Sequence, residues 1–178
     1  MPTTLPRSQQ RLAVALHFRQ EALCFIAWAD GSAPGEAFTA SVALRRVLAL
    51  YAAGLELPQP WSEGVSSGHV AEPTLVSRLR AVRTRAAALP LQHYSEIFSP
   101  LVLRPEEPVV GDLADDIVNI YQDVATGLCL YDAGSIDDAL WQWGFNFQVH
   151  WGEHASSAIR ALHRYLAQED PSGLSSNV

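Results

Sequence analysis

The chain has 178 residues, of which 48% are hydrophobic and 17% charged, and this balance excludes an intrinsically disordered chain. The 12 basic residues are all arginines and oppose 19 acidic ones, so the net charge is −7 and nucleic-acid binding is not expected. Cys24 and Cys129 lie far apart in the sequence and form no closely spaced pattern, so neither a disulfide scaffold nor a Cys-rich metal knuckle is indicated. The early apolar stretch contains Arg19 and Glu21, so we expect no membrane span and a cytoplasmic location.

Helical periodicity dominates the first half of the chain. It predicts a first helix over about 8–28 that ends at Gly31, and a second over about 36–53 with Gly54 as a left-handed stop. These two helices are expected to form an antiparallel pair. Residues 55–72 contain Pro and Gly without periodicity and indicate an irregular loop. Pro73 then begins a third helix that Pro90 ends.

The second half predicts a long helical hairpin after a Pro-rich segment. Four prolines between 89 and 111 exclude a helix there, yet apolar side chains predict that the segment packs. A fourth helix is expected between Asp112, as its cap, and Gly134. A fifth, capped by Ser135, extends to about residue 168 with a kink near Gly144 or Gly152, antiparallel to the fourth.

The predicted fold class is therefore all-α. We expect one domain over residues 1–178, a bundle of about five helices with frayed ends at 1–7 and 169–178.

Charge is distributed unevenly along this bundle. Residues 105–159 carry ten acidic side chains and no arginine, whereas the third helix carries four arginines. On the fourth helix Asp112, Asp116 and Asp123 share one side, which is a candidate interaction face for a basic partner. The alternatives are surface pairing with the basic third helix in the same molecule and self-association of two copies through these helices.

Residues 141–154 contain five aromatic side chains and two histidines. Trp141, Trp143, Phe147 and Trp151 form a candidate aromatic cluster, which we interpret mainly as core packing rather than a ligand pocket. His154 falls on the main apolar stripe of the helical wheel, so it is expected to be a hydrogen-bonded core histidine.

The same stretch matches the H-x-x-E-H string of inverted zinc peptidases. His150 and His154 are candidate metal ligands at i and i+4, and Glu153 is a candidate base that would activate water. Those enzymes need a third ligand well downstream, and only 24 residues follow His154. Asp116 of the fourth helix is the candidate third ligand for zinc or a similar divalent metal.

From residue 94 to 162 the chain resembles the bacterial family of domain of unknown function 5063. The resemblance rests on Phe98-Ser-Pro, Glu107-Pro-Val, Leu113-Ala-Asp-Asp-Ile, Ile120-Tyr-Gln-Asp, Gly127-Leu, Ala139-Leu-Trp-Gln-Trp-Gly-Phe-Asn-Phe, His150-Trp-Gly-Glu-His and Ala161-Leu. It implies a small cytoplasmic helical protein and carries over no catalytic residue.

Two functions remain open from the sequence. The leading hypothesis is a non-catalytic binding or interaction module without a cofactor, whose acidic fourth helix meets a basic partner protein. The alternative is a metal-dependent hydrolase that uses the histidine pair and Glu153.

Overall fold

A computed structural model describes residues 6–60, 73–97, 99–103 and 107–175 of the chain. In this part six α-helices and one two-stranded sheet occur, so the mostly helical fold class is confirmed and the helix count rises from five to six. The elements in chain order are α1 (Arg7–Asp30), α2 (Ala40–Gly54), α3 (Pro73–Ala86), β1 (His93–Glu96), β2 (Val109–Asp112), α4 (Leu113–Asp132), α5 (Ile136–Val149) and α6 (Trp151–Glu169), followed by the 3₁₀ turn Pro171–Leu174.

Two of the three glycines predicted to end a helix in the left-handed conformation do so, and the third does not. Gly31 and Gly134 follow α1 and α4 with φ of 81° and 86°, the left-handed conformation that favours glycine. Gly54 instead is the last helical residue of α2 and does not have the positive φ of a left-handed stop. A side chain there would place its Cβ 2.7 Å from the Trp151 ring and 2.9 Å from the Phe147 ring, so this glycine serves close packing of α2 on the C-terminal helices.

The predicted helix 135–168 is interrupted at His150. This residue has φ −150° and ψ −84°, which ends α5 and begins α6 two residues before Gly152, one of the two predicted kink sites. A Cβ on Gly152 would lie 2.1 Å from the carbonyl oxygen of Phe147, so only glycine fits the break. Ser135 occupies the predicted N-cap position of α5, but its side chain makes no capping hydrogen bond.

The Pro-rich segment contains a β-hairpin that the sequence did not predict. Strands β1 and β2 pair antiparallel, with His93 opposite Asp112 and Tyr94 opposite Gly111. A Cβ on Gly111 would lie 2.5 Å from the Tyr94 ring, so the ring lies across the glycine. The hairpin leads directly into α4, because Asp112 ends β2 and also caps the helix by accepting from the N–H groups of Ala114 and Asp115.

All six helices contribute to one hydrophobic core. Its largest fully buried side chains are Trp28, Trp143, Trp151, Tyr121, Phe18, Phe25, Leu50, Leu113, Ile117, Ile120, Leu140 and Leu162. Helix α1 is long and apolar enough, by length and composition alone, to cross a membrane. In this fold its Phe18, Phe25 and Trp28 are fully buried, whereas Leu12 and Leu16 are exposed.

Part of the C-terminal tail contacts the helical bundle. The Ser41 hydroxyl donates to the carbonyl oxygen of Gly173 at 2.6 Å, which holds the 3₁₀ turn against α2. Residues 1–5, most of the predicted 55–72 loop (61–72) and residues 176–178 lie outside the described residues.

Candidate functional site

A cleft of about 740 Å³ lies between the β-hairpin and helices α4 and α6. We call it the hairpin cleft. Its described titratable lining comprises Tyr94, Glu96, Asp112, Asp115, Asp116, His150, Glu153, His154 and Arg160. Five carboxylates thus face one arginine and two histidines, which makes the cleft electronegative when the histidines are neutral.

One side of the cleft contains a chain of three hydrogen-bonded side chains. The Nδ1–H group of His154 donates to Oδ1 of Asp116 at 2.8 Å, and the Tyr94 hydroxyl donates to Oδ2 of the same carboxylate at 2.6 Å. Asp116 is only 5% exposed, so burial and these two donors fix its position. The three residues come from α6, α4 and β1, and the hairpin is therefore part of the site.

A second histidine–aspartate pair lies beside the first. The Nδ1–H group of His150 donates to Oδ2 of Asp123 at 2.7 Å, and Asp123 is 8% exposed. The break between α5 and α6 positions His150, and its ring centroid lies 5.0 Å from that of His154. Each of the two buried aspartates of α4 therefore accepts a hydrogen bond from one histidine at the start of α6.

The pKa values of the three hydrogen-bonded residues His154, Asp116 and Tyr94 are all raised. The hydrogen bond from His154 to Asp116 raises the pKa of His154 above its ordinary value, against a smaller opposite effect of burial. Burial raises the pKa of Asp116, although the hydrogen bonds from His154 and Tyr94 act to lower it. Burial, followed by the bond to Asp116, also raises the pKa of Tyr94. The pair Asp116–His154 thus binds a proton more tightly than either group does in water.

Glu96 and Arg160 form the other polar contact of the cleft. Oε1 of Glu96 accepts from the backbone N–H of Ile97 at 3.2 Å and from Nη2 of Arg160 at 3.4 Å. Oε2 of Glu96 is buried and has no hydrogen-bond partner among the described residues. Glu96 is 9% exposed, whereas the Arg160 side chain is 59% exposed. A buried carboxylate is thus only half satisfied.

The predicted exposed acidic face of α4 requires a correction. Asp116 and Asp123 are buried and paired with histidines because they point toward α6. Asp112 caps α4 and lies 3.5 Å from Arg83, which also binds Asp115 at 2.8 Å. The charges of α3 and α4 thus pair within one molecule, as one of the sequence alternatives predicted.

The aromatic cluster lies mainly in the core. Trp143 and Trp151 are fully buried, and their indole N–H groups donate to the carbonyl oxygens of Val124 and Trp143, both at 3.1 Å. Phe147 packs on Trp151 with ring centroids 4.7 Å apart. Trp141 lies further out, stacked on the ring of Phe145 at 4.9 Å. None of these four residues lines the hairpin cleft as described.

The structure brings His150, Glu153 and His154 together at the cleft without completing a metal centre. Within residues 6–60, 73–97, 99–103 and 107–175, no group of three or more His, Cys, Asp or Glu side chains is arranged to hold a metal ion. Asp116 does not act as a free third ligand, because both of its oxygens accept hydrogen bonds.

Sequence reasoning missed Tyr94, Glu96 and Arg160. Tyr94 and Glu96 are two residues apart in β1, the spacing that places two side chains on one face of a strand. This signal was present, but four residues are too few for periodicity to predict a strand beside so many prolines. Arg160 gave no signal, because an exposed helical arginine is common.

Comparison with known proteins agrees with the fold and leaves the activity open. A solved structure of protein BF1032 from Bacteroides fragilis is similar, with a TM-score of 0.63 and 20% sequence identity over 88% of this chain and 92% of that one. At this identity the likeness concerns the fold alone. No curated protein is significantly similar in sequence to this chain.

The family model described as a domain of unknown function, DUF5063, matches residues 14–168. The match extends the resemblance seen over 94–162 into α1 and covers the whole hairpin cleft. The chain therefore belongs to the DUF5063 family.

Proposed function

We propose that this protein is a non-catalytic binding module and that the hairpin cleft holds a positively charged group of its partner. The single observation that carries the proposal is the cleft of about 740 Å³, whose described titratable lining includes five carboxylates and one arginine. Ligand pockets commonly have volumes of about 300–1,000 Å³, so the cleft suits a small molecule or one side chain of a protein.

The electrostatics of the cleft support a cationic partner. Two of the carboxylates, Asp112 and Asp115, pair with Arg83, and Asp116 pairs with His154. Glu153 is exposed and makes no side-chain hydrogen bond among the described residues, and Glu96 has one unsatisfied oxygen. Glu153 therefore leaves negative charge for a ligand to neutralise, and Glu96, whose charge meets Arg160 at 3.4 Å, leaves one open acceptor oxygen.

A thermal-shift comparison of charged probes tests this function. Spermidine and agmatine should raise the melting temperature, whereas citrate and glutarate should not, because a ligand at about 100 times its Kd stabilises the folded state by about 2.7 kcal/mol. Glu153→Gln should reduce the shift. Glu169→Gln, the same change in α6 away from the described cleft lining, should leave it intact. Equal shifts with cations and anions, or none with any probe, would remove the proposal.

The second candidate function is the metal-dependent hydrolase. It is favoured by the hydrogen bonds from Nδ1 of His150 and His154 to Asp123 and Asp116, because carboxylates that hold Nδ1 orient histidines for metal binding through Nε2. In this candidate Asp116 supports a ligand rather than acting as one, and Glu153 remains the base. A third ligand would have to come from elsewhere.

Metal content decides this second candidate. Protein prepared without a histidine tag and reconstituted with zinc, manganese or iron should retain one metal per chain if the candidate is correct. His150→Asn should then lose the metal, whereas His163→Asn, an exposed control on α6, should keep it. Substoichiometric metal in the unmodified protein would exclude the hydrolase.

A further inference from the structure

We propose that Glu96 is the anchor of the hairpin cleft and binds a guanidinium group of the ligand in exchange for Arg160. The inference rests on the proposed binding function and names the chemistry that the site recognises. It follows from an unfilled hydrogen-bonding position on a buried carboxylate and from an exposed arginine that now fills only part of that position.

The first step concerns the carboxylate. Glu96 ends β1, is 9% exposed, and keeps Oε2 buried without a partner in the described part of the chain. A buried carboxylate oxygen without a donor is unfavourable, because it has lost its contact with water and has no hydrogen bond in its place. A ligand that supplies a second N–H donor therefore gains more at Glu96 than at an exposed carboxylate such as Glu153.

The second step concerns the present occupant. Arg160 uses Nη2 alone, which donates to the carbonyl oxygen of Ser95 at 3.0 Å and to Oε1 of Glu96 at 3.4 Å. A guanidinium can instead place two parallel N–H groups on both oxygens of one carboxylate, and this forked arrangement is the stronger one. Arg160 therefore makes one of the two hydrogen bonds that a free guanidinium could make to the Glu96 carboxylate.

The third step concerns exchange. The Arg160 side chain is 59% exposed, and among the described residues it makes only these two hydrogen bonds, both to the C-terminal end of β1. Arg160 reaches the buried carboxylate of Glu96 through one long hydrogen bond of 3.4 Å, so a ligand guanidinium that makes two such bonds can displace it without leaving Glu96 unpaired. Arg160 then acts as an internal competitor, and its removal should strengthen ligand binding rather than weaken it.

Calorimetric titration with guanidinium probes tests this inference through two variants of opposite effect. Glu96→Gln should weaken binding by about tenfold or more, as expected for loss of a charged hydrogen bond. Arg160→Ala should tighten binding by about threefold or more, because it raises the fraction of protein with Glu96 accessible. Arg164→Ala, an exposed control on the same helix, should leave the affinity unchanged.

The probes distinguish the two sources of a guanidinium. Agmatine represents a free small molecule, and the capped peptide acetyl-Ala-Arg-Ala-amide represents a protein side chain. The same peptide with citrulline in place of arginine has nearly the same shape without the charge and should not bind. Tighter binding of agmatine than of the arginine peptide would assign the site to a small molecule, and the reverse would assign it to a protein; either supports the guanidinium contact.

The outcomes separate this inference from the proposed function. If Glu153→Gln weakens cation binding while Glu96→Gln binds as the unmodified protein does, the anchor is wrong and the binding function stands. If Arg160→Ala weakens binding, Arg160 is a ligand contact and the exchange is wrong. If no cation binds at all, the Glu96 anchor and the proposed binding function are both wrong. Circular dichroism establishes that each variant is folded, and Arg160→Ala tests the inference even where Glu96→Gln does not fold.

Discussion

His154 lies between the core and the cleft, and neither sequence interpretation describes it completely. Its side chain is 27% exposed, so it is not the fully buried histidine that the apolar stripe predicted. It does make a hydrogen bond, as predicted, and the structure shows that the partner is Asp116. Helical spacing located His150, His154 and the two aspartates of α4 in the sequence. It could not show that each histidine pairs with one aspartate, because that depends on how α4 and α6 pack.

The His154–Asp116 pair predicts a pH-dependent stability. A histidine whose pKa is raised by folding stabilises the folded state fully below its unfolded pKa near 6.5, and this contribution is lost as the pH rises through the folded pKa. The free energy of unfolding should therefore fall as the pH increases above 6.5. Burial also raises the pKa of Asp116 above its ordinary value of 3.8, so this group too stabilises the folded state less as the pH rises, beginning at a lower pH than His154. Chemical denaturation between pH 5.5 and 9 measures this.

Replacement of the histidine isolates its contribution. His154→Asn should lose about 1–3 kcal/mol at pH 6, since the charge-assisted hydrogen bond to buried Asp116 is lost. The variant should also show a shallower decline of stability with pH. His163→Asn, at an exposed position of α6, should follow the unmodified protein. An identical pH profile for His154→Asn and the unmodified protein would show that this pair does not control the titration.

At the scale of elements, the break between α5 and α6 determines the position of His150. Sequence periodicity predicted one long helix with a kink, because the apolar stripe continues through Trp151 and Leu162. The exact position of the break depends on the approach of Gly152 to the Phe147 carbonyl, which is a backbone contact without a signature in periodicity. The β-hairpin was missed for a related reason, since its strands have four residues each.

Gly152→Ala tests the importance of this break. A Cβ at Gly152 would lie 2.1 Å from the carbonyl oxygen of Phe147, and backbone cannot move aside as a flexible side chain can. We expect destabilisation of about 1–3 kcal/mol or more, as for overpacked cores, measured by urea denaturation. Gln168→Ala, an exposed control on α6, should change stability by less than about 0.5 kcal/mol. Wild-type stability of Gly152→Ala would mean that the break is readily rearranged.

At the scale of the whole molecule, the helices that the structure describes share one hydrophobic core. Buried residues of α1, such as Phe18, lie against Trp143 of α5 and Trp151 of α6, with ring centroids 4.7 and 5.9 Å apart. The sequence predicted a single helical domain because its apolar stripes need mutual burial. The hairpin cleft was beyond that prediction, because it depends on β1 and α6, which are distant in sequence.

This shared core predicts one cooperative unfolding transition. Far-ultraviolet dichroism reports the helices, and tryptophan fluorescence reports the core around Trp28, Trp143 and Trp151, so both should give the same midpoint in urea. Two resolved midpoints would divide the chain into independently stable parts and contradict the single-domain prediction.

Nuclear magnetic resonance mapping of agmatine binding tests the central claim, that the hairpin cleft is the binding site, most directly. We predict saturable amide shifts at Glu96, Glu153 and Arg160, on both sides of the cleft. Arg80 and Ala88, which line a separate pocket beside α3, should not shift. Shifts confined to that second pocket, or no saturable shift at the cleft, would contradict the claim.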